Sequence, residues 1–131
     1  MTLLLRLAFW AALLFAFVMA VLPHPPNIPG SPSDKILHVT AFSVLALLAP
    51  LAYRAAPLVR IGLLLSAFGA LIEIVQTVPS LHRDGDWIDW VADTAALAAV
   101  LSLVALARTA LQARMRTAAQ AKSKADSASQ A

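Results

Sequence analysis

Residues 69–93 read GALIEIVQTVPSLHRDGDWIDWVAD, and the predicted fold follows from this stretch. It begins and ends in apolar sequence, yet it contains eight ionisable or amide side chains: Glu73, Gln76, His82, Arg83, Asp84, Asp86, Asp89 and Asp93. Because burial of such groups without partners is costly, other parts of the chain must hold them. The stretch therefore predicts two apolar helices joined by a polar turn.

The composition of the whole chain indicates a membrane protein of one domain. Of its 131 residues, 60% are hydrophobic and 13% are charged, and the mean hydropathy is +0.78. Soluble domains have roughly 45–50% apolar and about 25% charged residues. The chain contains no cysteine, which excludes disulfides and thiolate metal sites.

Four apolar segments are each close to the roughly 20 residues that a membrane-spanning helix needs. They cover about residues 3–22, 36–53, 58–78 and 87–107. We therefore predict an all-α, integral membrane bundle of four transmembrane helices within residues 1–107. The first segment also has features of a signal peptide, but its apolar run exceeds the usual roughly 7–15 residues, which favours a retained helix.

The remaining residues, 108–131, form a basic tail. We expect its first half to extend the fourth helix as an amphipathic surface segment and its small, polar end to be disordered.

The positions of the basic residues predict the orientation. With four spans, eight of the ten Lys and Arg residues fall on the side of the two termini: Arg6, Arg54, Arg60, Arg108, Arg114, Arg116, Lys122 and Lys124. The positive-inside rule places that side in the cytoplasm and the 23–35 and 77–86 loops outside. Because the net charge of +3 follows membrane topology, we expect no nucleic-acid partner.

The spacing of the polar residues predicts a site at the outer ends of three helices. Asp86, Asp89 and Asp93 share one face of the fourth helix, because they are separated by three and four positions. The predicted site consists of Lys35, His38, Glu73, Gln76, Arg83, Asp86, Asp89 and Asp93, with Asp34 as a helix cap or a further member. An acidic residue inside a membrane costs roughly 2.5–3.5 kcal/mol on insertion scales, so it is a functional candidate by default.

Several of these residues also have a structural interpretation, and for His38 it is a hydrogen-bonded packing residue between helices. Lys35 is equally consistent with a snorkelling interfacial residue. Arg83 is suited either to neutralising the acidic residues or to binding an anion. Glu73, Asp89 and Asp93 are also consistent with a purely structural hydrogen-bond network between helices.

Three motifs in order resemble the VanZ-like family of small bacterial membrane proteins. They are Asp34-Lys35-x-x-His38, Gly69-x-x-x-Glu73-x-x-Gln76 and Arg83-x-x-Asp86-x-x-Asp89-x-x-x-Asp93, and the resemblance extends from about residue 34 to residue 100. The family commonly has Asn and Gly where this chain has Asp93 and Ala96. The resemblance implies a multi-pass protein of the bacterial inner membrane and cell envelope, related to a founding member associated with resistance to the glycopeptide teicoplanin.

Two functional hypotheses follow. In the first, the outer polar site binds a lipid head group or a lipid-linked envelope precursor, with Lys35 and Arg83 facing a phosphate. In the second, the protein is a membrane hydrolase or transferase that uses His38 and Glu73 as acid and base. His38, Glu73 and Asp89 are also candidate ligands of a divalent cation, although no metal motif of fixed spacing is present.

A proton-coupled transporter has less support, because four helices leave little room for a pathway unless the chain forms a homo-oligomer. No serine lies in a recognisable nucleophile motif.

Overall fold

The computed structural model describes residues 2–23, 34–83 and 85–128. Within these ranges the chain is all-α and has no strand. The helices are α1 (Thr2–Val21), α2 (Asp34–Ala52), α3 (Leu58–Gln76) and α4 (Trp87–Ala128), with a 3₁₀ turn at Pro79–Leu81 between α3 and α4. In the described part of the chain, all four α-helices are long and apolar enough to cross a membrane. The predicted fold class is therefore confirmed.

The chain divides into two compact units, Met1–Leu101 and Ser102–Ala131. The division falls within α4, which continues as helix to Ala128. The sequence predicted that the first half of the tail would extend the fourth helix and that its end would be disordered, whereas the described tail is helical as far as Ala128. The alanine-rich sequence of this part, which has strong helix propensity, accounts for the difference.

The ends of α2 and α3 differ slightly from the predicted ones. α2 begins at Asp34, two residues earlier than expected, and α3 ends at Gln76, two residues earlier than expected. After α3 the chain tightens into 3₁₀ geometry, in which Thr77 N–H donates to the carbonyl of Ile74 (3.3 Å) and Val78 N–H donates to that of Val75 (3.1 Å). Pro79 follows directly. Its ring disfavours α-helical backbone geometry at the preceding residue, Val78.

The hydrophobic core lies between the helices of the first unit. α2 is the most buried of the four spans. The core consists of Phe9, Ala20, Phe42, Leu45, Ala46, Ala49, Ala52, Ile61, Leu65, Ile72, Leu97 and Leu101. Large apolar side chains such as Leu4, Val59 and Leu63 are exposed, as expected of a bundle whose outer surface contacts lipid.

Two glycines of α3 permit close helix packing. A Cβ atom at Gly69 would lie 3.2 Å from the Phe42 ring of α2 and 3.4 Å from the Trp90 ring of α4. A Cβ atom at Gly62 would lie 3.1 Å from the end of the Leu101 side chain. Small residues at such positions allow membrane helices to approach closely.

Candidate functional site

The polar side chains of the first unit collect at one end of its helices. We call this region the polar end; it comprises residues 18–23, 34–38, 73–83 and 85–93, where α1 and α3 finish and where α2 and α4 begin. Among the described residues, the buried polar side chains are those of His38, Glu73, Gln76 and Asp93. All four belong to this end. Because they lie in apolar spans, their position depends on contacts between helices.

His38, Glu73 and Asp93 meet across three helices, and we call them the floor cluster. His38 Nδ1 of α2 lies 3.2 Å from Asp93 Oδ2 of α4, within hydrogen-bonding distance. The same nitrogen lies 3.9 Å from Glu73 Oε1 of α3. Only 1% of Asp93 and 7% of His38 are exposed, so this imidazole and carboxylate are paired almost entirely out of solvent.

Glu73 also joins α3 to the start of α4. Its Oε2 accepts a hydrogen bond of 2.7 Å from the backbone N–H of Asp86. The Asp86 side chain in turn caps α4, because its Oδ1 accepts a hydrogen bond of 2.8 Å from the N–H of Ile88. The first backbone donors of α4 are thus satisfied by two carboxylates, which suits the positive end of a helix.

This contact requires glycine at position 85. A Cβ atom there would lie 2.6 Å from the carbonyl oxygen of Glu73 and 3.0 Å from Cγ2 of Thr77. The backbone of the connection therefore packs directly on the last turn of α3. The close approach brings the Asp86 N–H within reach of the Glu73 side chain.

Lys35 and Asp89 form a second ion pair nearer the surface, which we call the rim pair. The Lys35 ammonium donates a hydrogen bond to Asp89 Oδ1 and so joins α2 to α4. The Lys35 side chain is 44% exposed and that of Asp89 is 15% exposed. The rim pair is therefore partly exposed at the surface of the bundle, whereas the side chains of the floor cluster are buried.

One oxygen of each floor carboxylate has further hydrogen-bonding capacity. Glu73 Oε1 and Asp93 Oδ1 are buried and have no hydrogen-bond partner among the described residues. Buried acceptors of this kind are normally satisfied by protein or water, and each exception calls for an explanation. The site can thus accept hydrogen bonds from donors such as hydroxyl or amino groups.

The structure brings together six of the predicted site residues: Lys35, His38, Glu73, Asp86, Asp89 and Asp93. Gln76 has a different contact, since its Nε2 donates a hydrogen bond of 2.9 Å to the carbonyl of Ala20. Carbonyl groups in the last turn of a helix lack partners within the helix, so Gln76 satisfies one at the end of α1.

The other two predicted residues, Arg83 and Asp34, belong to the polar end by their position in the chain. Arg83 is half-buried in the connection between α3 and α4. Asp34 is the first residue of α2, but its predicted capping or site role concerns a side chain that lies outside the described part of the structure, as does residue 84.

A polar contact between α3 and α4 was not predicted. Ser66 Oγ lies 2.9 Å from Thr94 Oγ1, and Trp90 Nε1 donates to the carbonyl oxygen of Ser66 at 3.0 Å and approaches its Oγ at 3.2 Å. The available signal was the position of Ser66, which lies seven residues before Glu73 and therefore on the same side of α3. Such hydrogen bonds across membrane helices are worth on average about 0.6 kcal/mol.

The described residues do not form a ready metal centre. No group of three or more His, Asp or Glu side chains within residues 2–23, 34–83 and 85–128 is arranged to hold a metal ion. Of the three candidate ligands, His38 and Glu73 approach one another, whereas Asp89 is bonded to Lys35.

Comparison of the chain with protein-family models, with curated proteins and with solved structures finds no match.

Proposed function

We propose that this chain is a VanZ-like protein of the bacterial inner membrane whose polar end faces the outside and binds the head group of a lipid or of a lipid-linked envelope precursor. Both termini then lie in the cytoplasm, as the distribution of Lys and Arg predicts. The ordered motifs that begin at Asp34, Gly69 and Arg83 support the proposed family relationship.

One observation carries the proposal: an accessible rim pair lies above an enclosed floor cluster at a single end of the bundle. The side chains of Lys35 and Asp89 are partly exposed, whereas those of His38 and Asp93 are almost completely buried. Charged groups at this depth in a membrane protein typically mark a ligand or ion site rather than a packing contact. The polar end would meet the membrane at the level where lipid head groups lie.

The groups present at this end suit a head group that carries both a phosphate and hydrogen-bond donors. Lys35 has three donor hydrogens and uses one on Asp89, so it retains donors for a phosphate oxygen. Arg83 adds a second cation to the connection. The buried oxygens of Glu73 and Asp93 would accept hydrogen bonds from hydroxyl or amino groups of the same ligand.

Binding of a polyprenyl-phosphate probe to the protein in phosphatidylcholine nanodiscs tests the proposal. We expect Lys35→Ala and Arg83→Ala each to weaken binding about tenfold, because a hydrogen bond to a charged group contributes about 1.5–3 kcal/mol. The matched control is Arg114→Ala, which removes one exposed positive charge from the second unit. Binding of both polar-end variants at the wild-type level would refute the proposal.

The paired His38 and Asp93 favour a second candidate, a membrane hydrolase or transferase. A carboxylate within 3.2 Å of an imidazole nitrogen can orient the ring for general acid or base chemistry. Release of phosphate from the same probe measures this activity, and His38→Ala and Glu73→Gln should abolish it. Metal analysis of the purified protein should accompany this assay, with the same variants as controls. Absence of both turnover and metal in the wild-type protein would eliminate the hypothesis that it is a hydrolase or transferase.

A further inference from the structure

A second charged region lies at the other end of the same helices. We call it the basic end; it comprises residues 3–10 and 49–61, where α1 and α3 begin and where α2 finishes. Arg6, Arg54 and Arg60 belong to it, and all three are exposed. Asp34, at the opposite end of α2, is the only acidic residue that precedes Glu73. The basic end therefore contains no carboxylate of its own.

Arg6 is held in place by two contacts with the end of α2. Its Nε lies 3.4 Å from the carbonyl oxygen of Ala52, to which it donates. Its guanidinium carbon lies 5.3 Å from the centre of the Tyr53 ring, over which the group stacks. The two contacts use Nε and the face of the guanidinium. A guanidinium fixed through Nε and its face can present both terminal nitrogens to an anion.

The Tyr53 ring is itself fixed from α1. Trp10 Nε1 donates a hydrogen bond of 2.8 Å to the Tyr53 hydroxyl. Phe9 packs edge-on against both rings, with centroid distances of 5.5 Å to Trp10 and 5.7 Å to Tyr53. Tyr and Trp with exposed polar atoms are typical of the membrane–water interface. These contacts indicate that the basic end lies at the level of the lipid head groups.

We infer that the basic end is a binding site for the phosphate group of an anionic membrane lipid. Arg6 supplies a stacked, oriented guanidinium, and Arg54 and Arg60 add two exposed positive charges from the short α2–α3 connection and from the first turn of α3. Arginine is the residue best suited to bidentate recognition of phosphate. No carboxylate at this end competes for the three cations. This site is separate from the polar end and does not depend on the function proposed there.

The lipid, rather than a soluble anion, is the expected ligand because of where the residues lie. The ends of α1, α2 and α3 are the ends of apolar spans, so the three arginines stand at the boundary between hydrocarbon and water. Each Lys or Arg near an anionic leaflet strengthens attraction to it by an amount that corresponds to about fivefold in affinity.

Native mass spectrometry of the full chain tests this inference, with titration by phosphatidylglycerol and by phosphatidylcholine. We expect tighter binding of phosphatidylglycerol, a loss of about fivefold for Arg54→Ala and for Arg60→Ala, and a loss of about tenfold for Arg6→Ala, which also removes the oriented hydrogen bonds. Arg6→Lys should lie between Arg6→Ala and the wild type, because it keeps the charge and loses the fork geometry.

Two controls separate a local site from a general effect of charge and from a free-phosphate site. Arg114→Ala removes one exposed positive charge from the second unit and should weaken phosphatidylglycerol binding less than Arg54→Ala or Arg60→Ala does. Inorganic phosphate at the concentration of the lipid should not displace it. Equal binding of the two lipids by the wild type, an equal loss for Arg114→Ala, or displacement by inorganic phosphate would each overturn the inference. If Arg6→Ala fails to fold, the Arg54 and Arg60 variants decide the matter.

Discussion

The two ends of the first unit handle charge in opposite ways. At the polar end, buried or partly buried carboxylates make three contacts between helices: His38 with Asp93, Lys35 with Asp89, and Glu73 with the start of α4. At the basic end, the arginines stay exposed, and Arg6 contacts the end of α2 through a carbonyl and an aromatic ring.

The length of the side chains explains much of this difference. Arginine has a long apolar stem that allows its charged group to remain at the interface while the stem covers apolar surface. Aspartate lacks such a stem, so a carboxylate on an inward-facing position such as Asp93 must find its partner inside. Truncation of a partner should therefore be more damaging at the polar end than at the basic end.

The largest expected effect is that of His38→Ala. Removing the imidazole leaves Asp93 buried without its hydrogen-bond partner, and loss of one partner from a buried pair destabilises proteins by about 3–5 kcal/mol. The free energy of unfolding in detergent or bicelles measures it. Thr40→Ala on the exposed side of α2 is the control and should change stability little. An equal loss for the two variants would contradict the view that the floor cluster holds the helices together.

A smaller effect is expected at the α3–α4 connection. Gly85→Ala places a Cβ atom 2.6 Å from the Glu73 carbonyl, so the backbone must shift, at about 1–3 kcal/mol. Gly62→Ala is the matched control, because its Cβ meets only the end of the Leu101 side chain at 3.1 Å, which can move. Thermal unfolding compares the two substitutions. A larger loss for Gly62→Ala would show that the connection does not depend on this close approach.

The smallest effect is expected at the basic end. Tyr53→Phe removes the hydrogen bond from Trp10 but keeps the ring on which Arg6 stacks. Because both groups can bond to water at the interface, the loss should be about 0.5 kcal/mol or less. Unfolding measurements on Tyr53→Phe beside His38→Ala test the comparison of the two ends directly. If Tyr53→Phe lowered the free energy of unfolding as much as His38→Ala, the two ends would not differ in how strongly they depend on their polar contacts.

The membership of the candidate site was largely predictable from spacing, whereas its pairing was not. Asp89 and Asp93 are four residues apart on one face of α4, so both were expected to point towards α2 and α3. Which of them would meet Lys35 and which His38 depends on the depth of α2 relative to α4. Helical periodicity within one segment contains no information on that relative depth.

Gln76 illustrates a different reason for an incomplete prediction. Its position three residues after Glu73 suggested that it would join the carboxylates, but its partner is a backbone carbonyl of α1. Every residue has a backbone carbonyl, so sequence patterns do not distinguish the one that Gln76 contacts. The same holds for the Asp86 N–H that binds Glu73.

The sequence by itself determined that four helices are long and apolar enough to cross a membrane and which faces carry polar groups. Both properties follow from the length, composition and period of each segment taken alone. Only the tertiary structure decided that His38 lies between Asp93 and Glu73, that Lys35 bonds Asp89 at the rim, and that Arg6 stacks on Tyr53. Each of these contacts joins different helices, and it is set by how side chains of the whole bundle pack against one another.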